Sequence, residues 1–428
     1  MPFVRALIGL AAFCAIAWLL SNDRKRFPWR VVLWGIALQC VFAVWILNTE
    51  SGRALFAGMA SFVNTLIDKS IPGAAMVFGK LGDASSSDLG FVFAFAGRGL
   101  AAIIFFSALM SILYYLGVMQ VIVWALARVM TRFLGVSGAE STAMAANIFV
   151  GQTEAPLVIK PYLAKMTYSE LNSVMVGGFA NIAGSVMAVY MGMLGTELGP
   201  HLIASSVMSA PAAFVIAKIM VPEREQAETA GKCELRIDRG ASNLLEAATN
   251  GTSDGLKLWL NVIAMLIAFM ALVYLVDWPL GWIGTQLAAL GVLDTPVDGA
   301  ALSLSRIFGW VLSPLAWLIG VDGWHDCQKM GSLLGTKTAL NEFVAYQQLA
   351  QWTAPGASGG FEHARSSALA AYALCGFANF ASIGIQIGGI GPLAPERKGD
   401  IVKLALRAMI GGAFATWMTA TIAGAFLQ

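Results

Sequence analysis

Long apolar stretches with almost no charged residues are the feature that most limits how this chain can fold. About eight of them approach the roughly 20 residues that a helix needs to cross a bilayer core. They lie near residues 3–20, 30–48, 99–127, 171–195, 202–221, 257–276, 366–390 and 402–427. Only 12% of the residues are charged, against about 25% in soluble domains. Because backbone groups in lipid must hydrogen-bond internally, the sequence predicts an all-α polytopic membrane protein.

The basic residues predict the orientation of these helices. They cluster after the first, third, fifth and seventh apolar stretches, with Arg24, Arg128, Arg224 and Arg397 among them. Since basic loops stay on the cytoplasmic side, both termini are expected to face outward. The first apolar stretch precedes its basic cluster, which is the reverse of a cleaved signal, so we interpret it as a retained helix.

Two segments carry Gly and acidic residues where a simple span would be apolar, and the first of them also carries Pro. Residues 136–166 contain Glu154 and residues 325–351 contain Glu342. Helix-breaking residues at the centre predict two half-helices that meet at a polar turn, so both segments are predicted re-entrant hairpins. A carboxylate at membrane depth costs about 2.5–3.5 kcal/mol on insertion scales, so each glutamate marks a candidate site.

The sequence Gly-Phe-Ala-Asn follows each predicted hairpin, once from Gly178 and once from Gly376. We call residues 178–181 and 376–379 the GFAN elements. The unit of hairpin and interrupted helix thus occurs twice, and the loops place the two hairpins on opposite sides. Opposed repeats of this kind build the substrate sites of many secondary transporters. Asn181, Asn379 and Ser382 are therefore candidate site residues, although an interhelical hydrogen bond is the alternative for each asparagine.

These features divide the chain into six predicted segments. They are N-terminal spans with an interfacial helix (1–90), a long third span of a scaffold (91–135), the first hairpin with its following spans as one transport repeat (136–221), a cytoplasmic linker (222–256), a scaffold span with interfacial helices (257–320), and the second hairpin with the last spans as the other transport repeat (321–428). The interfacial helices are expected within residues 60–88 and 278–320, where polar and apolar residues mix with Gly and Pro.

Amides and hydroxyls surround both glutamates. Asn147, Gln152 and Thr153 precede Glu154, and Asn341 precedes Glu342. Such groups offer both donors and acceptors to a neutral polyhydroxylated or heterocyclic ligand. Carbonyls freed at a helix break can also hold sodium. The alternative is that these groups only satisfy the broken backbone.

Other residue patterns exclude several classes of protein. The cysteines and histidines have no spacing typical of a metal site or disulfide framework, and basic residues confined to loops predict no nucleic-acid partner. No nucleophile or phosphate-loop motif indicates an enzyme. An intramembrane enzyme that uses Glu154 and Glu342 as an acid/base pair remains an alternative, as does a sensing receptor or channel, which the missing signalling domain disfavours.

Three motifs resemble the signatures of the concentrative nucleoside transporter family. They are GQTEAPL from residue 151, GTKTALNEFVAY from residue 335 and GFANFASIGIQIGGIGP from residue 376. The resemblance covers most of the chain from about residue 90. It implies a homotrimer whose subunit has eight spanning helices, two opposed hairpins and an inverted repeat. It also implies uptake of nucleosides, uridine for example, by an elevator-type motion of a transport domain against a scaffold.

The resemblance carries roles over to individual residues. The implied substrate residues are Gln152, Thr153 and Glu154 at the nucleobase, Val186 and Phe377 as apolar walls, and Glu342, Asn379 and Ser382 at the ribose hydroxyls. The implied sodium ligands are Asn147, the Val150 carbonyl, Asn181 and the Ile182 carbonyl.

One departure from the family pattern concerns the coupling ion. Sodium-coupled relatives usually place Ser or Thr where this chain has Asn181. An amide still offers an oxygen ligand, but its larger size can fill the site, so proton coupling is the alternative to sodium. The expected location is the bacterial inner membrane, with lipids as the surrounding partner.

Overall fold

The structure is a computed structural model that describes residues 2–79, 100–231, 241–293, 301–354 and 359–427. Helices dominate these residues, and the predicted all-α fold is confirmed. The helices are α1 (Pro2–Leu19), α2 (Trp29–Ala43), α3 (Glu50–Phe78), α4 (Ala102–Tyr115), α5 (Val118–Leu134), α6 (Gly138–Asn147), α7 (Ala155–Val158), α8 (Lys160–Leu163), α9 (Tyr168–Ala180), α10 (Gly184–Met220), α11 (Leu244–Ala289), α12 (Leu304–Ile319), α13 (Trp324–Ala339), α14 (Glu342–Thr353), α15 (Ala364–Leu374), α16 (Phe380–Ile390) and α17 (Lys398–Phe426).

Several helices are long and apolar enough to cross a membrane. Among the described residues, four segments qualify on their own: 29–48, 168–195, 197–220 and 395–426. Two bent helix pairs raise this number to six if each pair is one span. In the most apolar part of 168–195 and of 197–220, 94% of the residues are buried inside the protein, so these helices form its centre rather than its lipid-facing surface.

The predicted long third span is bent. The apolar run 99–127 was expected to be one helix, but α4 ends at Tyr115 and α5 begins at Val118, with a 76° bend between them. Gly117 makes the bend, because its φ of 83° is a conformation that other residues rarely adopt. Helix α5 then packs one face against α6, the first arm of the first hairpin.

Two further helices lie within the predicted segments. In the linker predicted at 222–256, α11 begins at Leu244, where the Asn243 side chain accepts a hydrogen bond from the Glu246 N–H. Within residues 278–320, where interfacial helices are predicted, α12 packs closely on α13. Gly331 and Gly335 of α13 permit this approach, since a β-carbon on either would overlap α12.

Both hairpins form as the sequence predicts. In the first, α6 and the short helices α7 and α8 flank a turn at 148–154 that carries Glu154. In the second, α13 and α14 flank a break at Leu340 and Asn341, directly before Glu342. The side chain of Asn341 accepts a hydrogen bond from the Val344 N–H and so caps α14.

Each GFAN element interrupts a helix. Helix α9 ends at Ala180 and α10 begins at Gly184, while α15 ends at Leu374 and α16 begins at Phe380. The prediction of helices broken at these elements is confirmed. The order hairpin, helix, break, helix is therefore the same in both halves of the chain, and the two breaks touch each other at Gly376 and Phe179.

Candidate functional site

The carboxylate of Glu342 lies at the centre of a buried polar cluster. Glu342 is 5% exposed, and its Oε1 accepts a hydrogen bond of 2.8 Å from the Tyr190 hydroxyl. Its Oε2 accepts a bond of 3.0 Å from Asn379 Nδ2. The first partner comes from α10 of the first repeat and the second from the GFAN element of the second repeat. One carboxylate thus joins the two halves of the chain.

Asn379 holds its place by capping a helix. Its Oδ1 accepts a 2.8 Å bond from the Ser382 N–H at the start of α16, which leaves Nδ2 free to reach Glu342. The Ser382 side chain is buried, and its hydroxyl makes no hydrogen bond within the described residues. Glu342, Asn379 and Ser382, which the sequence grouped, are brought together by the fold.

The predicted apolar wall from α10 borders this cluster. Val186 is buried and lies one turn before Tyr190, so both side chains emerge from the same face of the helix. Phe377 is half-buried in the second GFAN element, two residues before Asn379. The chain places an apolar surface next to a carboxylate at this point.

Gln152 at the tip of the first hairpin pairs with Gln386 of α16. Gln386 Nε2 donates to Gln152 Oε1 at 3.1 Å and to the Met175 carbonyl at 3.0 Å. Thr153 also faces α16, since a β-carbon on Gly389 would lie 2.3 Å from its methyl carbon. The tip of the first hairpin is therefore docked on the broken helix of the second repeat.

Glu154 is arranged differently from the other predicted substrate residues. Its side chain is exposed, and its Oε2 accepts a 3.1 Å bond from the Gly151 N–H of its own turn. None of the hydrogen bonds described joins it to the Glu342 cluster. The two glutamates thus do not form a direct pair in the described part of the chain.

The four predicted sodium ligands meet where the first hairpin touches the first break. The Gly184 N–H of α10 donates to the Phe149 carbonyl of the hairpin at 2.8 Å, which fixes the two segments together. Asn147 is 1% exposed, and neither its Oδ1 nor its Nδ2 has a hydrogen-bond partner among the described residues. No hydrogen bond in this part of the structure ends on the Val150 or Ile182 carbonyl oxygens.

Asn181 is more fully engaged than Asn147. Its Nδ2 donates to the Gly177 carbonyl at 3.2 Å, and its Oδ1 accepts a 2.5 Å bond from the Ser209 hydroxyl. A β-carbon on Gly177 would lie 3.3 Å from Asn147 Nδ2, so the two asparagines border the same glycine. An unpartnered buried amide beside free carbonyl oxygens suits a hard cation, whose ligands are oxygen atoms. The residues present therefore fit sodium.

Sequence reasoning missed Tyr190, which the structure adds to the Glu342 cluster, and Gln386, which it pairs with Gln152. Tyr190 donates to Glu342, and its ring centroid lies 4.6 Å from that of Tyr346. Gln386 connects both repeats. Helical spacing carried a signal for each, because Tyr190 comes four residues after Val186 and Gln386 four residues after Ser382.

Comparisons with protein families cover nearly the whole chain. Residues 201–424 match the family described as Na+ dependent nucleoside transporter C-terminus. Residues 8–81 match its N-terminus, and residues 96–197 match a domain described as nucleoside recognition. The resemblance inferred from three motifs is confirmed.

Individual relatives agree with these matches. An uncharacterized transporter of Haemophilus influenzae is 44% identical over 427 residues, which cover 100% of this chain and 98% of the relative. Sodium/nucleoside cotransporter 1 of Rattus norvegicus is 41% identical over 431 residues, covering 98% of this chain and 63% of that protein. The chain thus spans less than two thirds of the rat cotransporter.

Solved structures have the same fold. CNTnw in an inward-facing substrate-bound state is 38% identical, with a TM-score of 0.89 over 100% of this chain and 98% of that one. A CNTnw variant in an outward-facing state is 37% identical, with a TM-score of 0.90 and the same coverage. These relatives are transporters and not enzymes. The chain belongs to the Na+-dependent nucleoside transporter family.

Proposed function

We propose that this protein is a symporter that imports nucleosides, uridine among them, with sodium as the coupling ion. The observation that carries the proposal is the Glu342 cluster, in which a buried carboxylate is held by Tyr190 and Asn379 next to an apolar wall. Ribose hydroxyls lose water hydrogen bonds on entering a membrane cavity. A carboxylate acceptor replaces those bonds with charge-assisted ones.

In this proposal the ribose binds at Glu342, Asn379 and Ser382. The Ser382 hydroxyl makes no hydrogen bond to the described residues, which supports such a role, as does the position of Asn379 between the helix cap and the carboxylate. A site built for hydroxyls discriminates against analogues that lack them, because its buried polar groups would remain unpaired. The 2′- and 3′-hydroxyls should therefore contribute strongly to affinity.

The nucleobase end is assigned to Gln152, Thr153 and Glu154, with Val186 and Phe377 as apolar walls. The hydroxyl of Thr153 has no hydrogen-bond partner among the described residues, and the Glu154 carboxylate is exposed. Both groups are thus available to a heterocycle that carries donors and acceptors. Gln152 already accepts from Gln386, so its amide orientation is set before substrate arrives.

Sodium is assigned to Asn147, the Val150 carbonyl, Asn181 and the Ile182 carbonyl. Within the described ranges, neither the Asn147 amide nor the two carbonyl oxygens have a hydrogen-bond partner, which supports this assignment. A bound cation supplies positive charge at the end of α9, which is the negative end of that helix. These four residues would hold the ion and thereby fix the first break against the first hairpin.

The transport motion we propose is of the elevator type, within a homotrimer in the bacterial inner membrane. The first hairpin packs on α9 and α10 and the second on α10 and α15, whereas α11 packs mainly along α4. This arrangement supports a moving body that contains the hairpins and a scaffold that contains α11. Helix α11 also exposes Leu272, Leu275 and Trp278, which suit contact with lipid or a neighbouring subunit.

Proton coupling is the alternative, and one observation favours it. The oxygen of Asn181, where sodium-coupled relatives usually have Ser or Thr, already accepts a hydrogen bond from Ser209. An occupied oxygen is a poorer ligand than a free one. Uptake driven by a pH gradient without sodium would support this alternative.

The test is uptake of radiolabelled uridine into proteoliposomes, with sodium and proton gradients imposed separately. Accumulation that requires the sodium gradient supports the proposal, and accumulation with protons alone overturns the sodium assignment. Failure to accumulate uridine, adenosine or any other nucleoside under both gradients would contradict nucleoside symport. Glu342→Gln serves as the matched inactive control, since it keeps the shape of the side chain and removes its charge.

A further inference from the structure

Lys337 is a buried cation in the second hairpin. It lies on α13, is 1% exposed, and among the described residues forms no ion pair within 4.0 Å. Its Nζ donates to the Ala373 and Cys375 carbonyls at 3.1 Å each and to the Thr416 hydroxyl at 3.4 Å. An ammonium group has three donors, and here three oxygen atoms accept from it.

The oxygens around Lys337 belong to the second helix break. Ala373 lies in the last turn of α15, and Cys375 follows the end of that helix, directly before the second GFAN element. The carbonyls at the end of a helix lack partners within the helix and carry partial negative charge. Lys337 thus places a positive charge where the broken helix leaves its carbonyl groups free.

The same position in the first repeat has no charged side chain. The first arm of that hairpin, α6, ends in Asn147, which lies beside Gly177 in the last turn of α9 and has no hydrogen-bond partner in the described structure. The first break also receives a hydroxyl from the following long helix, because Ser209 of α10 donates to Asn181. Thr416 of α17 is the corresponding hydroxyl at the second break.

The two repeats therefore present the same set of groups around different cations. Each has a hairpin arm, the carbonyl end of a helix that stops at a GFAN element, and a hydroxyl from the next long helix. We propose that Lys337 is a tethered cation that fills, in the second repeat, the place that the exchangeable coupling ion takes in the first. This proposal rests on the sodium site assigned above to Asn147 and Asn181.

The consequence is an asymmetry between two related sites. The break of the second repeat carries its positive charge at all times, so α15 and the second hairpin remain joined through the transport cycle. The break of the first repeat gains its charge only when the ion binds. Lys337 is thus a positioning residue, which also holds a positive charge five residues from the Glu342 carboxylate.

The test removes the ammonium group of Lys337 in a protein whose sodium site is disabled by Asn147→Ala. The full-length protein is purified in choline chloride as Asn147→Ala, as Asn147→Ala with Lys337→Ser, and as Asn147→Ala with Lys337→Met. Sodium or methylammonium is then titrated while Tm is measured. We expect a cation-dependent rise in Tm for the serine variant, since binding to the folded state raises stability. The alanine and methionine variants should show no such rise.

The possible outcomes separate the two proposals. If the Tm of the Asn147→Ala protein responds to sodium as strongly as that of the unaltered protein, the sodium site of the proposed function is wrong. If the serine variant responds no more than the methionine variant, the tethered-cation proposal is wrong. Crystals of the unaltered protein soaked in thallium(I) test both points without substitutions. An anomalous peak is expected beside Asn147, and a peak beside the Cys375 carbonyl would overturn the role of Lys337.

Discussion

Gly376 packs directly against the backbone of Phe179, so the two GFAN elements meet at their own helix breaks. An alanine β-carbon at position 376 would lie 2.6 Å from the Phe179 carbonyl oxygen and 2.8 Å from that of Ala180. The φ of Gly376 is 110°, which side chains rarely adopt. The contact between the breaks and the positive φ both require glycine, and this explains why the second GFAN element begins with it.

Gly376→Ala should destabilise the protein and lower uptake. The backbone conformation alone costs about 1–3 kcal/mol for a residue with a side chain, and the overlap with Phe179 adds to that cost. Thermal unfolding in detergent measures the effect. Gly388→Ala is the matched control, because a β-carbon there meets nothing within 4 Å. Equal Tm values for the two variants would show that the breaks are not in contact.

Tyr190→Phe should weaken nucleoside binding. The substitution removes the hydroxyl that donates to Glu342 Oε1 and leaves that oxygen without its partner. Hydrogen bonds to charged groups contribute about 1.5–3 kcal/mol, so KM for uridine should rise roughly tenfold or more. Initial uptake rates at saturating sodium give this value. The control is Tyr274→Phe, since Tyr274 is 68% exposed on α11; an unchanged KM for Tyr190→Phe would remove Tyr190 from the site.

Asn147→Ala should raise the sodium concentration needed for half-maximal uptake. The alanine removes an oxygen that has no other partner in the described structure. Substitutions around metal sites lower metal affinity by about tenfold at the low end, so we expect a loss of sodium affinity of about that size. KM for uridine at saturating sodium should change much less. Asn261→Ala, at an exposed position of α11, serves as the control. A normal sodium response in Asn147→Ala would contradict the assignment.

Glu140→Gln should destabilise the protein through a buried ion pair. Lys218 Nζ lies 2.8 Å from Glu140 Oε2, and both side chains are at most 5% exposed. Removing one partner of a buried pair costs roughly 3 kcal/mol. This low end of the usual range applies because Glu223 also lies 3.4 Å from Lys218.

A double-mutant cycle tests the origin of that loss. Glu140→Gln combined with Lys218→Met should recover much of the Tm lost in Glu140→Gln alone, since no unpaired charge remains. Additive losses in the double variant would show that Glu140 and Lys218 are not energetically coupled.

The sequence predicts the hairpins and the helix breaks of this fold well, because the residues that produce them lie within those segments. Gly and a carboxylate at membrane depth mark both hairpins, Pro marks the first, and the repeated GFAN element marks both helix breaks. The bend at Gly117 escaped prediction, since a single glycine is often tolerated inside an apolar helix. The close packing of α12 on α13 also escaped, because Gly331 and Gly335 were interpreted only as helix-breaking residues of the second hairpin and not as a packing surface.

The candidate site was predictable only where its partners lie near one another in sequence. Asn379 and Ser382 are three residues apart and could be grouped by helical spacing. Tyr190 reaches Glu342 across 152 positions, and Gln386 reaches Gln152 across 234. Pairings of this range follow from how the two repeats cross, which residue spacing alone does not reveal.

The contact between the two breaks also restricts which substitutions the GFAN elements can accept. Because Gly376 lies against Phe179 and Ala180, a bulkier residue in either element must be matched by a smaller one in the other. A single repeat on its own would lack the surface that its break rests on, and two copies in opposite orientations would restore it. The architecture is therefore that of two oppositely oriented units fixed into one polypeptide, each of which supplies the surface that the other's break packs on.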